Sequence, residues 1–124
     1  MKAILVVDDS PSIRLMAAQT IRSAGYHVVE AGTGDEALRI AGKSRFDLIV
    51  IDEVMPCMDG FTLVRALRRR DHYTMTPMVL MTSEPIDEAG LLGRGGSGNY
   101  WLVKPFERDE IVRAVARALI EVRS

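Results

Sequence analysis

Asp8, Asp9, Asp52, Thr82, Ser83 and Lys104 share a placement that could carry chemistry: each closes or directly follows a short apolar run. The runs are Ile4–Val7, Leu48–Ile51, Met78–Met81 and Tyr100–Val103. If these are parallel strands, their carboxyl ends meet in the crevice where open α/β sheets bind ligands. Three carboxylates gathered there repel one another and raise each other's pKa unless a cation sits among them. A hard divalent ion resolves the repulsion, and Mg²⁺ is the usual choice where a phosphoryl group completes its shell. The ammonium of Lys104 and the hydroxyl of Thr82 suit that phosphoryl group better than a sugar or a base. No GxxxxGK[ST] loop occurs, and no GxGxxG turn follows the first run, which argues against nucleotide hydrolysis and dinucleotide binding. A phosphoryl group that no loop cradles can be held covalently, and a strand-end aspartate is a competent nucleophile for an aspartyl-phosphate.

Taken singly, most of these residues have plainer readings. Asp8 and Asp9 are acids ahead of a helix, where its dipole favours them. Thr82 or Ser83 reads as a helix cap, and Lys104 as a solvated lysine. Asp52 is harder to dismiss, because it stands where a strand gives way to a loop. His27 and His72 lack metal-ligand spacing, and Met55, Met58, Met75, Met78 and Met81 read as packing residues. The joint placement on four strand ends carries the argument.

The elements that must position this set are legible from periodicity. Continuous runs rich in Val, Ile and Leu indicate strands buried on both faces, hence a parallel sheet covered by helices. Strands are expected at about 3–8, 27–31, 46–52, 77–82 and 100–103; the second ends in Glu30-Ala31 and adds nothing obvious to the site. Ser10 caps a helix with Pro11 at its first position, whose inward stripe is Ile13, Met16, Ala17, Ile21 and Ala24 before Gly25 ends it. Thr33-Gly34-Asp35-Glu36 reads as a capping box opening a helix through about Lys43. A third helix follows Asp59-Gly60, with Phe61, Val64 and Leu67 inward and Arg68, Arg69 and Arg70 outward. The last runs from about Glu107 to Val122 on Ile111, Val115, Ala118, Leu119 and Val122. Strand and helix alternate, so the fold class is a doubly wound α/β sheet. Between the fourth and fifth strands, Pro85 and glycines from Gly90 to Gly98 oppose a helix; a short one near 86–92, then irregular and mobile chain, is expected. Residues 85–99 are further expected to order on activation or partner binding.

The chain has 124 residues, 48% of them hydrophobic and 27% charged, which suits one globular domain over 1–124. The lone Cys57 excludes an internal disulfide and a zinc-thiolate cluster and fits a reducing compartment. The apolar runs are too short for a membrane span, and acids follow the first where a signal peptide needs small residues. A soluble, cytoplasmic protein is therefore expected. A formal net charge of -1 gives no support for nucleic-acid binding.

The blocks Ile4-Leu5-Val6-Val7-Asp8-Asp9-Ser10, Asp47–Asp52, Met55-Pro56-Cys57-Met58-Asp59-Gly60 and Val103-Lys104-Pro105-Phe106 resemble the response-regulator receiver domain of two-component signalling. The resemblance runs through the whole chain, in order. It implies a flavodoxin-like, CheY-like sheet of order 2-1-3-4-5, with Asp52 as phosphoacceptor and Asp8 and Asp9 organising Mg²⁺. It implies the backbone carbonyl of Val54 as a further metal ligand, Thr82 and Lys104 on the phosphoryl oxygens, and Trp101 as the switching aromatic. The implied donor is a histidine kinase or phosphotransfer protein. The implied output is a protein target met by residues 85–103 and the last helix, including Val112 and Ala116, with neither nucleic acid nor membrane contacted directly. A stand-alone regulator and a piece of a larger one both fit, as no output domain follows the last helix. The resemblance also points to a cis Lys104–Pro105 bond. Two rival functions stay open. One is a small Mg²⁺-dependent phosphatase using Asp52, against which Val54 stands where a second acid belongs. The other is a phosphorylation-independent interaction module.

Overall fold

The computed structural model describes residues 1–83 and 99–121. Five parallel strands, β1 (Ala3–Val7), β2 (His27–Ala31), β3 (Leu48–Asp52), β4 (Met78–Thr82) and β5 (Asn99–Val103), form one sheet of order 2-1-3-4-5. Its register pairs Val7 with both Ala31 and Ile51, and Asp52 with Met81, so the strand ends line up along one edge. The described helices are α1 (Pro11–Ser23), α2 (Gly34–Lys43), α3 (Gly60–Arg68) and α4 (Arg108–Glu121), with a 3₁₀ turn at Asp71–Tyr73. The short helix expected near 86–92, the mobility expected of residues 85–99 (Asn99 apart) and Val122 lie outside the described residues. None of the described helices is long and apolar enough to cross a membrane.

Side chains alternate across a strand, and the core divides accordingly. Leu5, Val7, Ile49, Ile51, Met78 and Leu80 pack with Ala37, Leu63, Val64 and Leu67 on the α2/α3 side. Ile4, Val6, Leu48, Val50, Val79 and Met81 pack with Ala17, Ala18, Ile21, Ile111, Val115 and Ala118 on the α1/α4 side. Burying each of the larger aliphatic side chains is worth about 1.5–3 kcal/mol, which is why the apolar runs become the central strands.

The helix starts follow the local chemistry read from the sequence. Ser10 Oγ accepts from the Ile13 N–H at 3.5 Å, Thr33 Oγ1 from Glu36 at 3.1 Å, and Asp59 Oδ1 from Thr62 at 2.8 Å. Gly25 takes φ +101°, which ends α1. Several expectations need correction. Ala24 is exposed, because α1 stops at Ser23 and Ala24 is already its cap. Leu63, absent from the expected stripe, is fully buried, whereas Phe61 is half-buried. Glu36 closes back on the Gly32 N–H rather than on that of Thr33, so the box reaches one residue further. Arg68 and Arg70 are half-buried rather than fully outward: Arg68 Nη1 donates to the carbonyls of Tyr73, Thr74 and Thr76, and Arg70 Nη1 to that of Leu38. Among the methionines, Met55, Met78 and Met81 pack in the core, but Met75 is 75% exposed.

Candidate functional site

The four strand ends bring the sequence-derived residues together. One oxygen from each of Asp8, Asp9 and Asp52 can be chosen so that all lie within 4.8 Å of one another. Asp8 and Asp52 are buried and Asp9 is exposed, so the cluster opens to solvent on one side. Asp8 Oδ1 accepts from the Ser10 N–H at 2.9 Å, but its Oδ2 is buried with no hydrogen-bond partner. Burial pushes the Asp8 carboxyl up to about 6; the Ser10 N–H opposes this, and the charge of Asp52 adds to it. Lys104 Nζ donates to Asp52 Oδ1 at 3.0 Å, a charge-assisted contact that makes Lys104 a half-buried site residue rather than a solvated one.

Three clustered carboxylates, one of them with a buried oxygen that has no hydrogen-bond partner, are the donor set a hard divalent cation needs. The residues therefore fit Mg²⁺. Val54, two residues after Asp52, stands in the loop and is 69% exposed. Thr82 is buried at the end of β4, and its carbonyl accepts the Lys104 N–H at 2.6 Å. The Lys104–Pro105 bond is cis, as expected. Trp101, opposite Leu80 in the register, is half-buried against the α2/α3 core. Its ring lies 5.4 Å from that of Phe61, tilted by 45°. A cleft of about 590 Å³ lined by Ile13, Met16, Ser83, Lys104, Pro105 and Phe106 opens beside the lysine.

Two residues to which the sequence argument gave no role also shape the surroundings of the site. Glu30 is not idle: it meets Arg14 at 3.4 Å and Arg22 at 3.5 Å. Gly60 lets α3 start against the end of β3. Its N–H donates to the Glu53 carbonyl at 2.8 Å, and a Cβ there would lie 2.6 Å from the Asp52 carbonyl oxygen and 2.9 Å from Glu53 Cα. Both are backbone atoms, so relief requires moving the strand end that carries Asp52. Gly60→Ala is expected to cost about 1–3 kcal/mol, measured as a lower urea midpoint. An unchanged midpoint would show that α3 can retreat freely.

A parallel sheet of order 2-1-3-4-5 with three carboxylates gathered on its carboxyl edge is the architecture of CheY-like receiver domains. The chain belongs to the response regulator receiver domain family, whose pattern matches residues 4–116. Among solved structures it is similar to chemotaxis protein CheY4 of Vibrio cholerae, at 42% identity and TM-score 0.88 over 95% of this chain and 98% of that one. It is also similar to the receiver domain of sensor histidine kinase PA1611 from Pseudomonas aeruginosa, a structure with a magnesium ion coordinated in its active-site cleft. There the identity is 29% and the TM-score 0.82, over 95% and 97% of the two chains. Among curated proteins, the transcriptional regulatory protein PrrA of Mycobacterium tuberculosis is 39% identical over 122 residues, covering 97% of this chain and 50% of PrrA. The chain thus spans about half the length of the curated regulators it matches.

Proposed function

We propose that the chain is a single receiver unit over residues 1–124 that takes a phosphoryl group onto Asp52 from a histidine kinase or phosphotransfer protein. It then passes the signal to a protein target and loses the group by hydrolysis. The contact that carries this reading is Lys104 Nζ on Asp52 Oδ1 at 3.0 Å, inside a cluster whose other members are Asp8 and Asp9. Asp8, Asp9 and Asp52, with the Val54 carbonyl, would hold Mg²⁺, which supplies charge neutralisation for the incoming group. A carboxylate oxygen of Asp52 forms the new bond to phosphorus as the donor's P–N or P–O bond breaks, and the departing atom keeps the electron pair and takes up a proton. Lys104 meets the charge spread over the phosphoryl oxygens, and the Thr82 hydroxyl donates to one of them. The cleft beside Lys104 offers the donor protein apolar surface next to the acceptor.

On phosphorylation about two negative charges arrive beside Lys104 and Thr82. Thr82 moves toward them, and Trp101, packed on Phe61 along the same side of the sheet, responds. The output face comprises residues 85–103 and α4, with Val112 and Ala116 beside its buried stripe. The exposed free thiol of Cys57 suits a reducing, cytoplasmic setting.

The test is incubation with Mg²⁺ and a small-molecule phosphodonor, followed by mass mapping. Addition of one phosphoryl group to the Asp52 peptide is expected; no addition by a folded protein would favour the phosphorylation-independent module, and steady turnover of free phosphomonoesters would favour the phosphatase. Mg²⁺ affinity checks the metal set separately. Asp9→Ala is expected to weaken it at least tenfold, and wild-type affinity in that variant would remove Asp9 from the site.

A further inference from the structure

Asp9 is exposed, and its carboxylate is aimed by the backbone just before it. That backbone is held on both sides. The Asp8 N–H donates to the Ala31 carbonyl of β2 at 3.1 Å. The Asp8 carbonyl accepts from Arg14 Nη1 at 3.0 Å. The same guanidinium reaches β2 through its Nε, 3.4 Å from Glu30 Oε1, and Glu30 is steadied by Arg22 Nη2 at 3.5 Å. Gly32 leaves the space this arrangement needs: a Cβ there would lie 3.0 Å from Arg14 Nη1.

We propose that Arg14 is a positioning residue for the divalent cation, clamping the Asp8 carbonyl to β2 so that the Asp8–Asp9 peptide presents Asp9 toward Asp8 and Asp52. This rests on the reading of those three carboxylates as the Mg²⁺ site. A loop already fixed in its binding geometry loses less conformational freedom when the ion enters. The job suits arginine, whose rigid fork serves a carbonyl and a carboxylate from two nitrogens, whereas a lysine offers one point charge. Glu30 faces both Arg14 and Arg22, so its one negative charge offsets part of the positive charge that the clamp brings near the site.

The experiment measures Mg²⁺ affinity by calorimetry for wild type, Arg14→Met and Arg14→Lys. It is paired with amide exchange at Asp9 and Ser10 in the presence of a chelator. Arg14→Met is expected to bind Mg²⁺ about tenfold more weakly, with Arg14→Lys intermediate and faster exchange at both amides. At saturating Mg²⁺ the rate of phosphorylation should return to the wild-type value, because Arg14 touches no reacting group; a purely structural lesion would not be rescued by the ion. Should Arg14→Met fold poorly, Arg14→Lys carries the same test, since it keeps the charge and the aliphatic stem. A wild type that binds Mg²⁺ and a folded Arg14 variant that binds within twofold of it would overturn the inference alone. A wild type that binds no Mg²⁺ would overturn the cation reading, and the inference with it.

Discussion

Asp52→Asn should accept no phosphoryl group while keeping the fold and losing no stability. The amide retains the shape of the side chain and an oxygen for Lys104 Nζ, now 3.0 Å from Asp52 Oδ1. It lacks the anionic oxygen that attacks phosphorus. The substitution also removes one charge from a cluster in which Asp8 already stands well above the usual carboxylate range, so repulsion in the folded protein falls. Intact mass after treatment with Mg²⁺ and a phosphodonor checks the first part, and the urea midpoint checks the second. A phosphoryl group on the Asn variant would move the acceptor elsewhere, Asp8 and Asp9 being the first places to look.

The second large effect is a dependence of stability on pH that traces to Asp8. Its carboxyl titrates near 6 in the folded protein against 3.8 ordinarily, chiefly because it is buried. Between about pH 4 and pH 6 the folded protein therefore holds a proton that the unfolded chain has released, so stability falls as pH rises through that window. Each tenfold change in proton affinity is worth about 1.4 kcal/mol, which sets a ceiling of about 3 kcal/mol on the loss. Asp8→Asn cannot lose that proton. Its stability relative to wild type, measured by urea unfolding in chelator, should widen from pH 4 to pH 7. Adding Mg²⁺ at pH 7 should close the gap by stabilising the wild type alone, since an ion that binds only the folded form raises its stability. A constant difference between the two proteins across this range would contradict the assignment.

The parts of the fold set by short-range chemistry were readable from the residues. Ser10, Thr33 and Asp59 cap their helices because a short polar side chain followed by a helical stripe has one good use for its oxygen. Apolar runs buried on both faces had to be central strands, and an aspartate closing such a run had to stand at the sheet edge. The set Asp8, Asp9, Asp52, Thr82 and Lys104 was legible for that reason, although the order 2-1-3-4-5 came from the family resemblance rather than from the runs. What escaped depends on reach. A run of Arg68, Arg69 and Arg70 displays charge, not the length of stem that lets Arg68 collect three carbonyls. Arg14 and Glu30 are 16 residues apart, and only the pairing of β1 with β2 makes them neighbours. Gly60 read only as the residue before a helix, but its need is space, because backbone from β3 stands where a side chain would be.

The sheet works as a bulkhead. By alternation Asp52 and Lys104 belong with Val50 and Leu102, on the α1/α4 side, while Thr82 and Trp101 belong with Leu80, on the α2/α3 side. The two described compartments share no buried side chain, so under the proposed switch the route from the carboxylates to the tryptophan is the rim, where Lys104 and Thr82 are joined through the backbone. The seat of Trp101 and the bed of the acids are therefore packed in different layers, with α4 in the layer of the acids. Repacking Leu63, Val64 or Leu67 would act first on the seat of Trp101, and repacking Ala17, Ala18 or Ile111 first on the bed of the acids. A change of listener made through α4 therefore shares its packing with the acids, whereas one made around Trp101 does not.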